Sequence, residues 1–109
     1  MATPIAVQDL PGNLIARFEG RNHGSSVSFF IGTFDPGAGP GLHLHPYDET
    51  FIVEAGSATF TVGDETLELQ EGQIIVVPAG TPHKFVSGKG FRLVSISPFD
   101  HMEQENLEG

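Results

Sequence analysis

The chain has 109 residues and no cysteine, so disulfides, thiolate metal sites and cysteine nucleophiles are excluded. Fourteen acidic residues against five basic ones give a formal net charge of −9, which would repel nucleic-acid phosphates and anionic lipid surfaces. The composition therefore predicts a single domain that binds neither nucleic acid nor a membrane.

The first 11 residues are predicted to form an N-terminal arm, because they contain Pro4 and Pro11 and show no clear hydrophobic period. The arm lacks the basic start and uninterrupted apolar run of a signal peptide, and we expect a cytoplasmic protein. The arm could also cover a sheet edge on a neighbouring subunit, which favours a homodimer.

Residues 12–98 are predicted to form a barrel of short strands. Residues 13–19 and 26–34 have the composition of strands, and the turn between them contains His23, for which we expect no ligand role. A loop rich in glycine and proline, residues 35–41, then leads into a strand that carries His43 and His45.

The second half of the chain continues the strand pattern, with a strand from Glu49 and a hairpin over 57–70. Four consecutive apolar residues at 74–77 predict a strand buried on both faces, and two further strands follow over 83–87 and 91–97. About nine or ten short strands and at most one helix indicate an all-β sandwich or barrel.

Residues 99–109 are predicted to form an acidic C-terminal tail. The segment from Pro98 onward is the only helix-like part of the sequence, and it is short and polar. His101 lies in this tail, where we expect it to be exposed and unliganded.

His43 and His45 have the spacing of two ligands for one metal ion. In a strand their side chains project from the same face, about 7 Å apart. Glu49 follows past a turn and could return a carboxylate oxygen to the same ion. Such a site usually needs a further donor, for which the remaining histidines are His23, His83 and His101.

Two spaced motifs resemble those of the cupin superfamily. The first, a glycine, His-x-His, a glutamate and a glycine, is matched at Gly37, His43, His45, Glu49 and Gly56. The second is matched at Gly72, Pro78, Gly80 and His83. The asparagine that commonly closes the second motif would fall at Ser87, which is a departure at a non-ligand position.

The resemblance implies a cupin double-stranded β-helix, that is, a jelly-roll barrel, with a short C-terminal helix or tail. It also implies one divalent metal per chain, held by His43, His45, Glu49 and His83. Three imidazoles and one carboxylate suit iron, manganese, nickel, copper or cobalt, and zinc is a further candidate. The alternative is that these are satisfied polar residues of a barrel that binds no metal.

Cupins of this size act on small oxygen-bearing molecules, and a metal-dependent enzyme of dioxygenase type is the function we expect from the resemblance. The alternatives are a lyase or isomerase acting on a sugar acid or carbonyl compound, a non-catalytic binding module, and a structural scaffold. Glu49 and Tyr47 are the candidate catalytic residues. Possible walls of an apolar pocket are Phe29, Phe51, Phe60, Phe85 and Phe91.

Overall fold

A computed structural model describes residues 2–12, 14–98 and 105–107. It confirms the all-β jelly-roll architecture, with two five-stranded sheets whose pairings are all antiparallel. The strands are β1 Ile15–Phe18, β2 Val27–Thr33, β3 His43–Leu44, β4 Glu49–Ala55, β5 Ser57–Val62, β6 Glu65–Gln70, β7 Ile74–Val77, β8 His83–Ser87, β9 Arg92–Pro98 and β10 Glu105–Asn106. Two 3-10 helices, Val7–Asp9 and Gly20–Asn22, complete the described elements.

Sheet I has the strand order β1-β2-β9-β4-β7, and sheet II has the order β10-β3-β8-β5-β6. Because side chains alternate along each strand, each sheet turns one row of residues toward the space between the sheets. That space contains an apolar core formed by Phe51, Val53, Ala58, Phe60, Leu69, Val77, Phe85, Phe91 and Leu93.

Phe60 is fully buried and lies at the centre of the aromatic part of this core. Its ring packs against those of Phe51, Phe85 and Phe91, at centroid distances of 5.3, 5.2 and 6.3 Å. Edge-to-face and tilted contacts of this kind add about 0.5–1.5 kcal/mol per pair to the burial of the rings. Phe51 also contacts the ring of His83 at 6.1 Å, so the core continues directly into the histidine cluster.

The motif residues outside the predicted ligand set have structural roles. Gly56 joins β4 to β5 with φ at +69°, and a Cβ there would lie 2.5 Å from the carbonyl of Gly90, so only glycine fits. The Ser87 hydroxyl, which stands where an asparagine is common, lies 2.7 Å from the carbonyl oxygens of Asp35 and Ala38 and donates to them. Ser87 therefore fixes the loop that precedes the histidine strand.

The prediction that residues 74–77 are buried on both faces is wrong. Ile74 and Val76 are 61% and 55% exposed, whereas Val77 is 1% exposed. β7 is an edge strand of sheet I, and no layer of the described structure covers its outer face. A run of four apolar residues thus marked a strand with one buried face and one exposed apolar face.

Part of the tail forms a strand where we expected a helix or an irregular tail. Glu105 and Asn106 form β10, which pairs with Leu44 and His43 of β3. Residues 99–104 and 108–109, which include His101, lie outside the described residues. The domain boundaries at residues 11 and 98 stay a prediction.

The described part of the arm is exposed up to Asp9, and Leu10 is buried against its own chain. Its contact with a partner's edge therefore stays a prediction. No helix of the described residues is long and apolar enough to cross a membrane. The cytoplasmic location also stays a prediction.

Candidate metal centre

The predicted ligands come together between the two sheets. His43 of β3 pairs directly with His83 of β8, so their side chains point the same way from sheet II. His45 follows β3, and Glu49, the first residue of β4, projects from sheet I. All four are buried, and one ligand atom from each lies within 4.8 Å of the others.

Glu49 is at the centre of the cluster's contacts. Its Oε1 atom lies 3.0 Å from Nε2 of His83 and 3.3 Å from Nε2 of His45. The Oε2 atom accepts a hydrogen bond of 2.7 Å from the Ser95 hydroxyl. The carboxylate is thus held at both oxygens, one toward the histidines and one toward sheet I.

Backbone carbonyls fix the protonation of two imidazoles. Nδ1 of His43 lies 2.7 Å from the Gly41 carbonyl oxygen, and Nδ1 of His83 lies 2.8 Å from that of Thr81. Because a carbonyl can only accept, each Nδ1 carries a proton, and the neutral ring then presents an unprotonated Nε2. Metal-binding histidines are commonly oriented by such outer hydrogen bonds.

Burial and hydrogen bonding set the charges of the cluster in opposite ways. Burial is the main cause that lowers the pKa of His43 from 6.5, which favours a neutral imidazole that can bind a metal. Burial would raise the pKa of Glu49, but hydrogen bonds from His45, His83 and Ser95, in which the imidazoles must donate from a protonated Nε2, lower it to about 2 in the metal-free centre. At neutral pH the centre therefore combines an ionised carboxylate with a neutral His43.

These residues fit a divalent cation. With Nδ1 of His83 protonated, a neutral ring presents a lone pair to the Glu49 carboxylate at 3.0 Å, and two acceptors at that distance repel each other. A proton or a metal cation between them removes the repulsion. Three imidazole nitrogens and one carboxylate oxygen are ligands that transition metals prefer, so the donor set suits a metal.

Tyr47 lies over the cluster, with its ring stacked on His45 at 4.8 Å and an interplanar angle of 14°. The loops of the two motifs are joined beside it. The Ala79 N–H donates to Oδ1 of Asp48 at 2.9 Å, and the Gly80 N–H donates to the carbonyl of His45 at 2.7 Å. These bonds hold the His45 loop against the loop that precedes His83.

The cluster opens into a pocket of about 830 Å³. Phe51 and Phe85 line this pocket as expected, but Phe60 and Phe91 belong to the core and Phe29 lies on the outer face of sheet I. Several residues that line the pocket were not predicted from the sequence. These are Ile15, Arg17, Glu19, Phe30, Phe34, Ala38, Gly39, Pro40, Leu93, Ser95 and Asn106.

The sequence contained one indication that Ser95 belongs to the site. In β9 the inward side chains are Leu93, Ser95 and Ser97, so a polar side chain on an inner face marked a hydrogen-bonding position. Which carboxylate it would contact depended on the pairing of β9 with β4. Of the other histidines, His23 stacks on Phe18 at 4.6 Å and, among the described residues, lies outside the cluster.

Known proteins share this architecture. An uncharacterized protein of Streptomyces coelicolor, SCO3923, is 37% identical over 65 residues, which are 60% of each chain. Oxalate decarboxylase from Bacillus subtilis superposes with a TM-score of 0.83 at 21% identity, over 94% of this chain and 31% of the enzyme. The polyketide cyclase RemF from Streptomyces resistomycificus gives 0.79 at 19% identity, over 100% and 87%.

This chain thus spans about 60% of the length of its Streptomyces relative and a third of the decarboxylase, and the two superpositions show the fold. At the sequence level, residues 30–97 match the family of the Cupin domain, Cupin_2. That match covers both histidine motifs and most of the barrel. The chain therefore belongs to the cupin family.

Proposed function

We propose that the chain is a metal-dependent enzyme that acts on a small oxygen-bearing organic molecule, with dioxygenase chemistry as its reaction. The observation that supports this most is the buried cluster of three histidines and a carboxylate, of which His43, His45 and Glu49 line a pocket of about 830 Å³. Pockets of this size enclose small molecules, and a metal at the wall gives the substrate's oxygen atoms a place to bind.

The ion would be held by His43, His45, Glu49 and His83. When bound, a redox-active divalent metal supplies Lewis acidity and electron transfer to dioxygen, the co-substrate whose two oxygen atoms enter the product. B. subtilis oxalate decarboxylase is known with Mn(II) centers, which supports including manganese among the candidates.

The surrounding residues bind, orient and exclude water. Phe51 and Phe85 form apolar walls beside the histidines, and they keep water from much of the substrate. Tyr47 holds the ring plane of His45 and lines the pocket, so it can orient the substrate or give it a proton. Glu49 is ionised at neutral pH, and because a pKa of about 2 makes it a weak base, it would accept a proton only from a substrate acidified by the metal.

The second candidate is a lyase or isomerase acting on a carbonyl compound, and the shared fold with a decarboxylase and a cyclase supports it. A non-catalytic binding module is the third, because Tyr47 and Glu19 are the described pocket residues outside the cluster whose side chains can serve as a general acid or base.

Oxygen uptake by protein loaded with iron(II) or manganese(II) tests the proposal, with flavonols, 1,3-diketones and small hydroxy acids as substrates. We expect uptake that His45→Ala abolishes together with bound metal, measured by elemental analysis. Turnover without oxygen consumption would support the lyase or isomerase. Full metal loading with no turnover across the panel would contradict an enzyme and support the binding module.

A further inference from the structure

The pocket contains a fixed positive charge that the proposed metal site does not use. Arg17, on β1, is the only lysine or arginine among the described residues that line the pocket. Its neighbours on the pocket wall are Ile15 and Phe30, which offer the guanidinium no ionic partner. Glu19, two residues on, accepts a hydrogen bond of 3.1 Å from Asn22, which holds its carboxylate at the turn after β1.

We infer that Arg17 binds an anionic group of the substrate, so that the substrate class is a small organic acid. This rests on the proposed function, because the inference needs the opposite end of the ligand at the metal. Glu19 and Glu49 offset Arg17 and one charge of a divalent ion, which leaves one positive charge in the occupied pocket. A carboxylate matches that charge, and arginine binds carboxylates through two parallel hydrogen bonds.

Strand register limits the size of this acid. Arg17 pairs with Phe30, and Phe30 pairs with Ser95, whose hydroxyl is bonded to Glu49. Arg17 is therefore two strand spacings, about 10 Å, from Ser95 along the sheet. Since the arginine side chain covers part of that distance, the acid that joins it to the metal is a chain of a few carbon atoms.

Binding of 3-hydroxypropanoate, 4-hydroxybutanoate and 5-hydroxypentanoate to the metal-loaded protein, with their amides as neutral controls, tests this inference by calorimetry. We expect at least one acid to bind tenfold or more tightly than its amide, and Arg17→Gln to remove that preference while metal content stays the same. Arg21→Gln, an arginine outside the pocket, is the matched control and should retain the preference.

Equal binding of acid and amide, binding of none of the acids, or a preference that survives Arg17→Gln would overturn the role of Arg17. Because metal content is measured on the same samples, such a result is distinct from failure of the metal site, in which the wild-type protein would retain no ion.

The outer face of sheet I carries a second inference, which rests on a different observation. Two rows of five side chains cross this face, in registers set by the strand pairing. Nine are apolar, one is a threonine and none is charged. This outer patch consists of Ala16, Phe18, Phe29, Ile31, Thr50, Ile52, Ile74, Val76, Val94 and Ile96.

A polar rim bounds the outer patch at one end. Arg92 donates from Nε to Glu54 at 3.1 Å and from Nη1 to Thr33 at 3.3 Å. Apolar patches with polar rims mark protein–protein interfaces. The outer face of sheet II is different, because it carries Lys84 and the hydrogen-bonded pair Thr59 and Glu68.

We propose that the outer patch is the interface of a homodimer. The net charge of −9 makes other surfaces of two copies repel each other, whereas this face has no net charge, and its rim can pair Arg92 with Glu54 across a two-fold axis. A lipid surface is a poorer occupant, because membrane-binding faces are flanked by basic residues.

The size of the face suits a small interface. With Leu14, Val27, Pro98 and the rim it presents about sixteen side chains, somewhat fewer than the roughly 20–30 residues per partner in a standard interface. β9 is the central strand of sheet I, so Val94 and Ile96 lie at the middle of the patch, where interface residues contribute most.

Light scattering after size exclusion tests the dimer at protein concentrations of tens of micromolar. We expect twice the chain mass of 11.7 kDa for the wild type, and a single chain mass for Ile96→Glu. Thr59→Glu, on the outer face of sheet II, is the matched control and should remain dimeric. Val76→Lys is a second variant, and it should not disturb folding because Val76 is 55% exposed.

A monomeric wild type would overturn this proposal, as would a dimer that both Ile96→Glu and Val76→Lys leave intact. Circular dichroism and metal content should match the wild type in each variant, since the substituted side chains point away from the metal centre.

Discussion

The inner face of sheet I buries polar side chains beside its apolar core residues, whereas its outer face is almost entirely apolar. Its inner face carries an ionised carboxylate, Glu49, and three buried serines, Ser28, Ser95 and Ser97. Its outer face carries the apolar outer patch. Buried polar groups are costly unless they have partners, and exposed apolar patches are uncommon on monomers. The difference supports a separate ligand for each face, the proposed metal inside and the proposed second copy of the chain outside.

Neutralising Glu49 should have the largest effect on metal binding at the inner face. We expect Glu49→Gln to lower bound metal by more than tenfold, because the amide has no negative charge and only one acceptor oxygen in place of two. Thr50→Val, the next residue on the opposite face, should leave metal content unchanged. Elemental analysis after dialysis measures both, and metal retained by Glu49→Gln would remove this carboxylate from the ligand set.

Substitutions at two neighbouring residues of β9 should lower the stability of the protein in different ways. Leu93 is 4% exposed in the core, and Leu93→Ala should lower the free energy of unfolding by about 2–5 kcal/mol. Val94→Ala, on the outer patch, should lower the free energy of unfolding by less than this in dilute protein. Its effect should grow as protein concentration rises, because Val94 makes its contacts in the dimer. Urea denaturation at two protein concentrations measures both, and equal, concentration-independent costs would contradict the assignment of the faces.

The hydrogen bond from Ser95 should have a smaller effect. Ser95→Ala removes the 2.7 Å donor to Oε2 of Glu49, and we expect metal affinity to fall about 10- to 100-fold while the ion remains bound at saturation. Ser97→Ala is the matched control two residues away, since its hydroxyl has no partner among the described residues. Competition with a fluorescent chelator measures the affinities, and the two variants should differ.

The dependence of stability on pH gives the mildest test, carried out on metal-free protein. The pKa of Glu49 falls from 4.5 to about 2 on folding, so its contribution is complete above pH 4.5 and is lost as pH falls toward 2. The pKa of His43 is lowered from 6.5, so its contribution is present above pH 6.5 and is lost as pH falls through the folded value.

Urea midpoints between pH 8 and pH 3 should therefore fall in two steps. His43→Gln should weaken the upper step, and His23→Gln, a histidine outside the cluster, should retain it. A midpoint that does not change from pH 8 to pH 3 would contradict both assignments.

The sequence was sufficient to predict that His43, His45, Glu49 and His83 come together, because they stand at fixed distances in two motifs and strand periodicity orients them. It was not sufficient for Ser95 and Arg17, whose positions at the pocket depend on which strands pair across sheet I. The exposure of Ile74 was not predicted for a related reason. An apolar residue type does not reveal whether another layer of the same chain covers its side chain.

The strand β10 has a consequence for how such proteins diverge. Asn106 lines the pocket from a C-terminal strand that pairs beside His43, outside both histidine motifs. A relative can keep every metal ligand and still have a different pocket wall if its last residues differ. Substrate preference can thus change through the C-terminus alone, and similarity confined to the motifs is a poor guide to it.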